Sequence, residues 1–184
     1  MTTAAVLLAA GGGTRFRGDA HKLLTVLRDR PVYEHALAAA RAGGLDEIVV
    51  VVGAVPLTLP PDVTVLTNER WSDGQATSVR AAADYAAGRG HDAIVVGLAD
   101  QPFVEPEAWA AVGGTDGPIV VATYGGRRGN PVRLHREVWP LLAAEGDEGA
   151  RTLMRSRPDL VREVACQGDP ADIDTVEDLQ RWNS

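Results

Sequence analysis

Five short runs of Val, Ile, Leu and Ala constrain this chain more than any other feature. They lie at residues 4–8, 47–52, 63–66, 93–98 and 119–123. A strand exposed on one face alternates apolar and polar residues. A strand buried on both faces does not need to. Between the runs lie helical patterns. Residues 31–42 open on Pro and stop at Gly43 and Gly44, and residues 74–87 end before Gly88. Residues 105–112 and 149–156 read as shorter helices, 131–134 as a short strand leading into a helix through Leu142, 160–164 as a late strand and 175–182 as the closing helix. Strands alternating with helices predict an α/β fold, with a mostly parallel sheet covered on both faces. No repeat or low-complexity linker divides the chain, so residues 1–184 read as one domain.

Charge narrows the partners. Eighteen Lys and Arg against 25 Asp and Glu give a net charge of −7. No basic tract exceeds two residues, so the electrostatic footprint of a nucleic-acid binder is missing. The apolar run from Ala4 to Ala10 is far short of the roughly 20 residues of a membrane span, and no basic segment precedes it. Cys166 is the lone cysteine, which allows no intrachain disulfide. The expectation is a soluble cytoplasmic protein with neither nucleic-acid nor membrane partners.

In open α/β sheets ligands bind beyond the carboxyl ends of the strands. The first such end carries Ala9, Ala10, Gly11, Gly12 and Gly13, followed by Arg15 and Lys22. A dinucleotide fingerprint fails here, because Phe16 stands at its third glycine. A Walker-type loop fails as well, because Asp19 follows Gly18 where Lys is required. What remains is a glycine turn able to aim amides at an anion, with Arg and Lys beside it. That suits a triphosphate; the alternative is an ordinary strand–helix turn. Two aspartates draw attention next. Asp100 ends the fourth run, where packing explains a carboxylate poorly and Mg²⁺ would use one. Asp174 precedes the last helix, where capping and metal binding are equally good readings. Asp172 is the weaker ligand.

The stretch from Leu8 to Phe16, with Lys22-Leu23-Leu24, resembles the loop signature of the MobA-like/MocA-like nucleotidyltransferases. The resemblance spans residues 4–182 and implies a Rossmann-like three-layer nucleotidyltransferase fold. It implies nucleotide binding by Ala9 to Gly13, Arg15 and Lys22, and Mg²⁺ or Mn²⁺ held by Asp100 and Asp174. The spacing of Asn68, Trp71, Gly74 and Ser78 is similar to the family stretch that meets base and ribose. Without the resemblance, that stretch is a loop and a helix start. Asp100-Gln101-Pro102, Gly129 to Val132, Gly146 to Arg151 and Asp172 to Thr175 resemble the molybdenum cofactor cytidylyltransferase branch. They place Asn130, Arg128 and Arg151 on the acceptor side, although each segment also reads as a turn.

The activity so implied is transfer of CMP from CTP to the phosphate of molybdopterin, with loss of pyrophosphate and later delivery to a molybdenum hydroxylase. Ala10 before Gly11 favours CTP over GTP. The catalytic set is Arg15, Lys22 and Asp100. Alternatives are a guanylyltransferase or sugar-phosphate nucleotidyltransferase of the same fold, or a carrier that binds cofactor without turnover. The four histidines show no metal spacing. His21 alone lies where a phosphate contact is conceivable, and Trp109, Trp139 and Trp182 read as packing residues.

Overall fold

A computed structural model describes residues 1–184. Nine strands form in chain order. They are β1 (Thr3–Ala9), β2 (Val26–Leu27), β3 (Arg30–Pro31), β4 (Glu47–Val52), β5 (Thr64–Thr67), β6 (Ala93–Leu98), β7 (Ile119–Tyr124), β8 (Arg127–His135) and β9 (Val161–Ala165). The helices are α1 (Val32–Ala42), α2 (Gln75–Arg89), α3 (Pro106–Gly114), α4 (Arg151–Ser156) and α5 (Val176–Asn183). Seven strands make one sheet in the order β5-β4-β1-β6-β8-β7-β9, and β2 and β3 pair as a small hairpin.

β1 is the centre of the molecule, and every residue in it is buried. It pairs in parallel with β4 on one side and β6 on the other. Ala4, Val6 and Leu8 face one layer, which includes α2 through Val79, Ala82, Ala83 and Ala86. Ala5, Leu7 and Ala9 face the opposite layer, built on α1 and α3. Both faces of the strand are therefore core, which is why its sequence does not alternate. Each buried Val or Leu contributes about 1.5–3 kcal/mol of hydrophobic transfer. A smaller cluster of Leu27, Val32, Ile173 and Leu179 ties α5 and the hairpin to the body. No helix is long and apolar enough to cross a membrane.

The structure departs from the sequence reading in identifiable places. The expected strand at 131–134 is the end of a nine-residue strand, β8, antiparallel to both neighbours. Its ladder slips between Gly129, which pairs with Ala122, and Val132, which pairs with Val121, so Asn130 and Pro131 are left out of register. Pro131 has no N–H to donate there. The helix expected through Leu142 is a 3-10 segment, Arg136–Leu141, with Pro140 inside it. The helix expected at 149–156 begins at Arg151. α2 runs through Gly88 to Arg89 and stops at Gly90, whose φ of 79° supplies the left-handed cap. The β2–β3 hairpin was not expected; its runs are too short for a periodic signal.

Gly97 in β6 is a packing glycine. A Cβ there would lie 2.5 Å from the indole of Trp109, which is 2% exposed in α3. Replacing Gly97 with Ala overpacks this layer and is expected to cost about 1–3 kcal/mol. Urea unfolding should show a lower midpoint with an unchanged slope; an unchanged midpoint would refute the packing account.

Candidate active site

Because β1 and β6 are adjacent and parallel, their carboxyl ends open side by side. The loop after β1 meets Asp100, just past β6. Gly13 has φ 60°, a conformation that favours glycine. Gly12 lies under the Trp71 ring, and a Cβ there would come within 2.9 Å of it. Gly53, after β4, is crowded by the carbonyl of Ala10 and by Trp71, each 2.8 Å from a would-be Cβ. Small residues therefore let Trp71 close over the loop.

His21 pins the loop from below. Its Nε2 lies 3.0 Å from the Gly11 carbonyl, and its Nδ1 accepts from the Leu23 amide at 3.3 Å. An acceptor at Nδ1 and a donor at Nε2 describe one neutral tautomer. Burial, with a further push from the Lys22 charge, lowers its pKa below 6.5 against the opposing bond to Gly11. The histidine is thus a loop anchor, and its Nε2 is already engaged.

Three residues far apart in sequence converge beside the loop. Lys22 begins a 3-10 turn (Lys22–Leu24), and its side chain is only 12% exposed. Its Nζ donates to Asp100 Oδ2 at 2.6 Å and to Asp174 Oδ1 at 2.8 Å. Arg15, 76% exposed, pairs with Asp174 Oδ2 at 2.9 Å. Burial disfavours the Lys22 charge, but the two carboxylates outweigh it, and the pKa is raised. The two readings of Asp174 are separated by its neighbours. Thr175 caps α5 with Asp178 in a reciprocal capping box. The Asp174 amide donates to Asp178, which leaves the Asp174 carboxylate to face the cations.

Gln101 ties together the segments that carry the two aspartates. It is 5% exposed, and its Nε2 donates to the Pro170 carbonyl at 2.9 Å and Asp172 at 2.8 Å. Its Oε1 accepts from Asn130 at 3.0 Å, while the Ile173 amide donates to the Asp100 carbonyl at 2.8 Å. The end of β6, the slipped segment of β8 and the loop carrying Asp174 are thereby joined.

The cleft has a volume of about 460 Å³ and is lined by Ala9, Ala10, Gly11, Gly12, Gly13, Arg15, Lys22, Gly74, Ser78, Asp100 and Asp174, all expected from sequence. Thr14, Trp71, Ser72, Gln75 and Asp147 line it too. The last of these comes from the segment read as the acceptor side. Its loop docks on α2, where the Ala76 amide donates to the Gly146 carbonyl at 2.8 Å. Four expected residues stand outside the cleft lining. Asn68 is buried and donates to Thr77 and to Ser78, at 2.8 and 2.9 Å, holding the start of α2. Asn130 reaches Gln101. Arg128 of β8 reaches over β7 to pair with Glu163 of β9 at 2.7 Å, and Arg151 opens α4 on the surface. In this structure three of these side chains meet protein partners, and Arg151 is at the surface. For Asn130 the available signal was its place beside Pro131, which predicts a break in a strand.

The donor set suits a hard divalent ion. Two carboxylates converge, and no group of three His, Cys, Asp or Glu residues could form an all-protein cage. Magnesium commonly uses one or two carboxylates and completes its shell with substrate phosphates and water. The loop beside the carboxylates would supply those phosphates.

Because His21 holds its neutral form in the fold, acid should weaken its contribution. The unfolded chain takes up a proton as pH falls through about 6.5, while the folded loop resists it, so stability present above that pH declines below it. The stability gap between wild type and His21→Ala should therefore narrow between pH 7.5 and pH 5.5 in urea unfolding. A constant gap would show that the ring's protonation does not matter to the loop.

Comparison with known proteins agrees with this geometry. Residues 5–162 match the MobA-like NTP transferase domain. Nicotine blue oxidoreductase of Paenarthrobacter nicotinovorans is 34% identical over 96% of this chain and 94% of its own length. The crystal structure of Rv0371c from Mycobacterium tuberculosis H37Rv superposes with a TM-score of 0.82 at 31% identity, covering 100% of this chain and 98% of that one. A complex of Rv0371c with manganese superposes at 0.76 with the same identity, covering 99% and 98%. Family match, full-length relatives and shared fold agree, and the chain belongs to the MobA-like NTP transferase family of nucleotidyltransferases.

Proposed function

We propose that this nucleotidyltransferase moves CMP from CTP onto the phosphate of a molybdopterin-type acceptor. The observation that carries the reading is the convergence of Lys22, Asp100 and Asp174 at the edge of the glycine loop. An oxygen of the acceptor phosphate attacks the α-phosphorus of CTP. The bond from that phosphorus to the bridging oxygen breaks, and pyrophosphate leaves with the electron pair. A phosphate monoester is largely dianionic at pH 7, since its second pKa is about 6, so no side chain need remove a proton. The absence of an activated Ser or Cys among the cleft residues is in keeping with this.

The protein's part is positioning and charge neutralisation. Amides of Gly11 to Gly13, with Arg15 and Lys22, hold the triphosphate. Asp100 and Asp174 would hold Mg²⁺ or Mn²⁺, which when bound neutralises charge at the α-phosphate. Gly74 and Ser78 line the base and ribose end. The reading favours CTP because Ala10, whose side chain lines the cleft, takes up room that a smaller residue before Gly11 would leave for a purine. The molybdopterin acceptor rests on the sequence segments around Asp100, Asn130, Asp147 and Asp174. In this reading the product would pass to a molybdenum hydroxylase in the cytoplasm. Asn130 supports the acceptor side through Gln101, whereas Arg128 and Arg151 would have to act from outside the cleft.

A second reading is favoured by one finding, the full-length relative named an oxidoreductase acting on nicotine blue. The two readings separate by product. The first releases pyrophosphate, and the second would change the oxidation state of nicotine blue as an added electron donor or acceptor is consumed.

Calorimetry with CTP, GTP, ATP and UTP, with and without Mg²⁺, should show metal-dependent preference for CTP. Preference for GTP would transfer the reading to guanylyl transfer. With molybdopterin as acceptor, pyrophosphate release should fall at least about 10²-fold in Asp100→Ala, the scale of losing one charge-stabilising group, with the fold retained by circular dichroism. Undiminished release from a folded variant would overturn the assignment of Asp100. Nucleotide binding with no release at all would point to a carrier.

A further inference from the structure

The cations beside the glycine loop are already paired, and Asp147 adds a further carboxylate to the cleft. Asp100 and Asp174 contribute two negative groups, and Lys22 and Arg15 contribute two positive ones. The Lys22 ammonium sits 2.6 and 2.8 Å from one oxygen of each carboxylate, in the region where those oxygens converge. A divalent ion held by Asp100 and Asp174 would share that region with the ammonium. Two cations so close repel, and the side chain, only 12% exposed, has little water to screen them.

Resting on the reading of Asp100 and Asp174 as metal ligands, we infer that Lys22 makes divalent-ion binding conditional on nucleotide. The ammonium holds the two carboxylates until a triphosphate offers it other anions. Lysine suits such an exchange, because its charge is compact and its four-carbon stem is flexible. The glycine loop that would carry the phosphates lines the same cleft, so the move is short. Arg15 is the weaker partner, since it is 76% exposed and meets Asp174 alone. His21 is neutral and adds no charge to the exchange. The free ion is thus a poor ligand, and ion and nucleotide enter as one unit. Competition lowers the ion's affinity without forbidding it, so a manganese complex of Rv0371c is compatible with the exchange.

The test is Mn²⁺ titration of the whole chain, followed by the electron paramagnetic resonance of free Mn²⁺. Wild type and Lys22→Met are compared with and without a CTP analogue whose α–β bridge resists cleavage. In wild type the analogue should tighten Mn²⁺ by about tenfold, an ordinary coupling between sites. Lys22→Met should bind Mn²⁺ alone about tenfold more tightly than wild type does, and the analogue should then add little. Mn²⁺ binding no tighter in a folded Lys22→Met protein overturns the inference. Should that variant fail to fold, ¹⁵N spectra of the lysine ammonium groups in wild type decide. Mg²⁺ alone should leave the Lys22 signal in place and Mg²⁺ with the analogue should move it; a shift with Mg²⁺ alone overturns the exchange. Asp100→Asn separates the two levels. If it binds Mn²⁺ with the analogue as well as wild type does, Asp100 is not a ligand and the underlying reading fails.

Discussion

The bridge from Lys22 to Asp100 and Asp174 joins segments 78 and 152 residues apart in sequence. A buried ammonium is costly without anionic partners, and two carboxylates held side by side are costly without a cation. Each part of the cluster is therefore tolerable only because the others are placed to meet it. Removing one partner leaves a charge uncompensated, so the arrangement is sensitive to position. The Gln101 clamp and the capping box at Thr175 fix two sides of the cluster, and the 3-10 turn fixes the third.

That placement follows from the sheet. β1 lies between β4 and β6, both parallel to it, so the glycine loop, Gly53 and Asp100 emerge at one end. Burial on both faces leaves β1 no freedom to slip register, since a one-residue shift would exchange its two apolar faces between different helical layers. The slipped ladder between β7 and β8 is the one irregularity near the site. It releases Asn130 from the sheet, and Asn130 then holds Gln101. The unevenness of β8 is thus useful to the carboxylate pair.

Most of the framework was legible in the sequence. Unbroken Val, Ile and Leu runs can be buried only on both faces, and the order of runs and helices leaves few topologies. The glycine loop, Lys22, Asp100 and Asp174 were legible because each stands at a strand or helix end and has a chemistry that packing does not explain. The sequence resemblance gives Asn68 and Asn130 as ligand contacts, and the fold brings their side-chain amides to protein partners. A sequence shows an amide but not which neighbour will claim it. Arg128 was placed on the acceptor side, yet a strand position facing Glu163 decides where its guanidinium goes. Gln75 carries no signal, and Asp147 is marked only by the resemblance of residues 146–151. Their presence in the cleft depends on Gly146 docking against α2, a contact between segments about 70 residues apart.

The same frame also accounts for how relatives of similar length can bear different names. The sheet and the two apolar layers specify where strand ends converge, and little else about chemistry. What distinguishes one activity from another must reside in the residues that the frame leaves free at those ends. In this chain they are a glycine turn, a buried ammonium, an exposed guanidinium and the two carboxylates those cations meet. Cations already paired with anions are placed to exchange one anion for another. In the proposed exchange of phosphate oxygens at one phosphorus, the glycine turn and the two cations would meet the triphosphate, and the two carboxylates would hold the metal that neutralises it.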